Sequence, residues 1–105
     1  MKSLPVQIIA NGVVIGTAQL SAADPSMAVA SAIFEPRAAY RLDLHSRASE
    51  QRDLATTPAE LSARTEDGKV IACAGIDLID FAETVGDDGR EVWVLGIEQF
   101  ETYFG

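Results

Sequence analysis

VQIIANGVVIGTAQL, Val6 to Leu20, decides the fold. Two runs rich in Val and Ile flank Asn11-Gly12, the dipeptide best suited to a two-residue type I′ turn, because both central positions need φ > 0. Pairing outward from that turn sets Ala10 opposite Val13, Ile8 opposite Ile15 and Val6 opposite Thr17 on one face. Ile9 then faces Val14, and Gln7 faces Gly16, on the other. The first face is the expected core face. The second keeps Ile9 and Val14 and so needs a cover: a helix, the aromatic C-terminal segment or a second copy of the chain.

The rest of the chain is read outward from this hairpin. SAADPSM, Ser21 to Met27, is expected to be a loop, since Pro25 pushes Asp24 out of the helical region. Met27 to Glu35 is small and apolar and predicts a third strand, which Pro36 ends. Arg37 to Arg52 places Tyr40, Leu44 and Ala48 four apart, with an Asp43–Arg47 acid-to-base pair on the same step, and predicts the main helix. Thr57-Pro58-Ala59-Glu60 has the form of a capping box, good for at most one turn. LSARTEDGKVIACA pairs as a second hairpin about Asp67-Gly68, with Leu61, Ala63, Thr65, Val70, Ala72 and Ala74 on one face and Ser62 opposite Cys73 on the other. Residues 76–83 fit a strand or a helix. The strand is preferred because Asp88-Gly89 is a further turn signal and Val92 to Ile97 is almost wholly apolar. That hairpin pairs 76–81 with 91–97 and sets Asp87 opposite Arg90 and Thr84 opposite Trp93. Phe100 and Phe104, four apart, predict a last helical turn plugging the sheet. The class expected is α+β: one domain over residues 1–105, an antiparallel sheet of five to seven strands curled toward a barrel, and one main helix.

Composition sets limits on function. With 105 residues the chain can bury roughly two-thirds of its unfolded surface without disulfides or a metal. The single Cys73 excludes an intrachain disulfide and fits a reducing compartment. The uncharged stretch Ser3 to Ala23 is broken by Pro5, Asn11, Gly12 and Gly16, so it reads as a hairpin and not a membrane span, and it lacks the plain apolar run of a signal peptide. A cytoplasmic protein with no membrane partner is expected. A net charge of −8 argues against nucleic acid, whose phosphates require clustered Lys and Arg. Residues 1–75 carry a net −1, whereas residues 76–105 carry eight acids against Arg90 alone, a net −7.

No side-chain constellation points to catalysis. His45 has Asp43 and Ser46 nearby in sequence, but neighbours on a helix point apart and a triad is assembled from separate parts of a fold. Cys73 has no base beside it and reads as a buried, inert thiol. One His and one Cys exclude zinc ligand sets. VGDDGRE fails the calcium-loop spacing, and no phosphate-cradling glycine motif is present, so no cofactor and no metal are expected. The acidic last third has two readings: a solvated face that maintains solubility, or an electronegative patch steering toward a basic protein partner. The second makes Asp77, Asp80, Glu83, Asp87, Asp88 and Glu91, with Trp93 as aromatic anchor, the candidate protein-binding residues of a non-catalytic, inhibitor-like or immunity-like module. The alternative is a small-ligand binder or accessory enzyme with a cavity between sheet and helix, rimmed by Tyr40, Arg41 and His45. Exposed sheet edges also allow a homodimer.

Asn11-Gly12, Ile15-Gly16, Leu20, Asp24-Pro25, Met27, Phe34, Pro36, Tyr40 and Ile79-Asp80-Phe81 together resemble a family of small uncharacterised bacterial proteins. Their pattern runs VNGxxIG, DPPMGxA, FxPxxxY and IxDF. Ser26 and Ala28 depart from it where the pattern has a second proline and a glycine. The resemblance implies a bacterial, cytoplasmic origin and supplies no activity or site residue.

Overall fold

Asn11 and Gly12 adopt φ of 50° and 82°, the two left-handed residues that a type I′ turn requires. This turn joins β1 (Leu4–Ala10) to β2 (Val13–Asp24). The computed structural model describes residues 3–40, 61–80, 86 and 89–105. It adds β3 (Val29–Pro36), β4 (Leu61–Thr65), β5 (Gly75–Asp80), β6 (Arg90–Leu95) and a short C-terminal helix, α1 (Phe100–Phe104). The strands form one six-stranded sheet in the order β4-β1-β2-β3-β6-β5, with every neighbouring pair antiparallel. The sheet curls into a half-barrel, an α+β architecture. No helix among the described residues is long and apolar enough to cross a membrane.

The first hairpin departs from its expected register after two pairs. Ala10 faces Val13 and Ile9 faces Val14, but Ile8 then faces Gly16, Gln7 faces Thr17 and Val6 faces Ala18. Ile15 is the extra residue of a β-bulge, and its carbonyl accepts from the Arg37 N–H at 2.8 Å. The bulge reverses the parity of β2, so Ala18 and Leu20 join Val6 and Ile8 in the core while Thr17 and Gln19 turn outward. Gly16 is required here, because the Phe34 ring and the Glu35 carbonyl occupy the space a Cβ would take.

β2 also runs on through Ser21–Asp24, where a loop was expected, since these residues pair with the start of β3 around a second bulge. The connection shrinks to a 3-10 turn over Pro25–Met27. Asp24 caps it, accepting from Ser26 Oγ at 2.7 Å and the Met27 N–H at 3.3 Å. The third strand falls where the sequence put it, and Arg37–Tyr40 forms a turn closed by the Tyr40 N–H on the Arg37 carbonyl at 3.0 Å. The rest of the helix expected to Arg52, and the cap at Thr57–Glu60, lie outside the described residues.

Around Asp67-Gly68 the loop has three residues and not two: Gly68 takes φ 89°, Thr65 N–H donates to the Lys69 carbonyl, and Arg64 bridges Val70. The one-residue slip sends Ile71 into the core and leaves Val70, Ala72 and Ala74 exposed, against expectation. Cys73 is therefore not opposite Ser62. β4 gains its ladder from β1 instead. In the last hairpin Trp93 faces Asp77 and Arg90 faces Asp80, where Thr84 and Asp87 were expected; those two lie outside the described residues. This register aligns Ile76 and Leu78 with Val94 and Val92 on one buried face, which a tight Asp88-Gly89 turn would forbid.

Phe34, Ile8, Ile15, Leu20, Leu78, Val92 and Val94 are fully buried, each contributing about 1.5–3 kcal/mol. α1 behaves as expected: Phe100 and Phe104, with ring centroids 5.1 Å apart, pack against this core from its edge.

Candidate functional site

The pleat of β5 and β6 sorts the candidate residues onto two faces, since side chains alternate along a strand. Asp80 shares its parity with Ile76 and Leu78, so it points to the core side, across from Arg90. Asp77 and Ile79 take the outer side, where they face Trp93 and Glu91. β3 extends that outer surface, with Ser31 opposite Trp93 and Ile33 opposite Glu91.

Three expected binding residues thus come together: Trp93, Asp77 and Glu91. Directly paired residues on one face have their Cβ atoms about 5 Å apart. Asp77, Ile79, Glu91 and Trp93 are half-buried, and Ile33 is 52% exposed. These strand positions carry two carboxylates, one indole and two isoleucines, with no base among them.

Asp80 does not belong to that surface. It is 7% exposed, and its Oδ2 accepts from Tyr40 Oη at 2.7 Å and Arg90 Nε at 3.2 Å. A carboxylate this dry persists because a cation and a hydroxyl satisfy it. Tyr40 in turn packs edge-on against Phe34, ring centroids 5.2 Å apart at 61°. Asp80 therefore ties β5, β6 and the chain after β3 together, on the face of the sheet opposite Trp93. Glu83, Asp87, Asp88, Arg41 and His45 lie outside the described residues.

Among the described residues, Cys73 and Asp67 have shifted titrations. Burial pushes the half-buried Cys73 thiol up, and the Glu98 carboxylate adds to it. The Thr65 hydroxyl donates to Asp67 in the tight turn and holds that exposed carboxyl below its usual value.

Two site features were not anticipated from the sequence. The Asp80–Arg90 pair was hidden by the choice of turn, although the alternation Ile76, Leu78, Asp80 already placed that acid on a core parity. Ile33, expected only as part of the third strand, lies on the outer face beside Glu91. No family model, curated protein or solved structure matches this chain.

Proposed function

We propose that the chain is a non-catalytic protein-binding module that docks a positively charged partner through the outer face of β3, β6 and β5. The observation that carries this reading is the placement of Trp93 between Asp77 on β5 and Ser31 on β3, with Glu91 and exposed Ile33 alongside. An aromatic anchor concentrates binding energy, and the two carboxylates beside it steer the encounter with a cationic surface. The net −7 of residues 76–105 extends the same field over that end of the chain. The cavity reading draws less support, because the Tyr40 hydroxyl is engaged by Asp80 and its ring by Phe34. The charge fits an inhibitor-like or immunity-like role, and the lone thiol and the family resemblance fit a bacterial cytoplasm.

Affinity capture with the wild-type chain and with the variants Trp93→Ala and Asp77→Lys/Glu91→Lys tests the proposal. A single basic protein retained by the wild type at low salt, weakened by high salt and lost by both variants is the expected outcome. Capture of the same protein by the charge-reversed variant, or no retained protein at any ionic strength, overturns it.

A further inference from the structure

A groove of about 900 Å³ opens at the end of the sheet where β2 passes into β3. Ala22, Pro25 and Ala28 line it together with Ile97, Phe100 and Phe104. Main-chain bonds hold the segment that carries the rings: the Ile97 N–H donates to the Ala28 carbonyl and the Glu98 N–H to the Ala72 carbonyl, both at 3.0 Å. Ala28 takes φ 55° at the end of the Asp24-capped turn. Phe100 and Phe104 offer two half-buried aromatic rings. Among the described residues the charged side chains lining the groove are Glu98 and Glu101, both exposed. Met27, in the turn that forms its lip, is 66% exposed.

We infer that this groove receives a short basic segment of another protein, with an apolar side chain seated against Phe100 and Phe104 and flanking Lys or Arg side chains against Glu98 and Glu101. Charge complementarity selects this occupant. Two exposed carboxylates beside the rings attract a basic segment and repel an acidic one, and a second copy of this chain, itself at −8, would bring repulsion. The groove lies on the core side of the sheet, whereas Trp93 lies on the outer side, so it is a second site independent of the docking face proposed above.

Fluorescence anisotropy with three labelled hexapeptides tests the inference on the full chain. The probes are Lys-Lys-Leu-Leu-Lys-Lys, its Ser-Ser counterpart, and Glu-Glu-Leu-Leu-Glu-Glu. The first should bind, and each of the others should bind at least about tenfold more weakly. Glu98→Lys/Glu101→Lys, two exposed changes, and Ala22→Trp, which fills the groove, should each weaken the first peptide about tenfold. Thermal melting checks that both variants fold. Asp77→Lys/Glu91→Lys should leave binding within about twofold, which separates this site from the Trp93 face. Equal binding of the Ser-Ser peptide, equal loss in the Asp77/Glu91 variant, or no binding of the first peptide overturns the inference.

Discussion

Replacing Tyr40 by Phe keeps the ring against Phe34 while deleting the hydroxyl that donates to Asp80. A hydrogen bond to a charged group contributes about 1.5–3 kcal/mol, and because Tyr40 is half-buried the lower end, about 1.5–2 kcal/mol, is expected. Asp80→Ala removes the acceptor shared by Tyr40 and Arg90. Breaking a wholly buried ion pair costs about 3–5 kcal/mol. The Asp80 side chain is 1% exposed but that of Arg90 is 23% exposed and can turn its guanidinium toward water, which lowers the expected cost to about 2–4 kcal/mol. For a domain of this size that is a fall in Tm of about 10–25 °C. Urea unfolding followed by far-UV circular dichroism, with the double variant completing a cycle, should show a coupling of about 1 kcal/mol between Tyr40 and Asp80. A loss below about 0.5 kcal/mol for Asp80→Ala, the range of ordinary surface substitutions, would return Asp80 to the solvated acidic face.

Gly16→Ala should destabilise by about 1–3 kcal/mol in the same assay, because the Phe34 ring must leave its place to admit a methyl group. Cys73 holds its proton more tightly folded than unfolded, so the stability present below the ordinary thiol value of 9.0 should decline as pH rises through the raised value, and Cys73→Ala should flatten that slope. Trp93 is the chain's sole tryptophan, so its fluorescence reads the docking face alone. Caesium should quench it more strongly than iodide, a preference that Asp77→Lys/Glu91→Lys reverses and high salt erases.

Local chemistry made much of the fold readable. Asn11-Gly12 admits few conformations other than its turn, β3 falls within a run of small apolar residues closed by Pro36, and the four-residue spacing of Phe100 and Phe104 marks the final helix. Register was harder, because turn signals and face patterns competed. After the Ile15 bulge, Thr17 and Gln19 point outward and Ala18 and Leu20 inward; the polar-apolar alternation of TAQL records that switch, whereas strict counting from the turn misses it. Asp88-Gly89 suggested a tight hairpin, yet burying Leu78 against Val92 outweighed it and moved Trp93 from Thr84 to Asp77. The site was legible in its composition and not in its geometry. Trp93, Asp77 and Glu91 come together only once the β5–β6 register is known. Asp80 leaves the group because its partner Tyr40 is forty positions earlier, a contact no local pattern encodes.

Whether a basic partner covers Trp93 is decided by acrylamide quenching of that residue in the presence of the captured partner, carrying Trp→Phe changes of its own. The quenching slope should fall as partner is added and recover at high salt. A slope unchanged at saturating partner would contradict it.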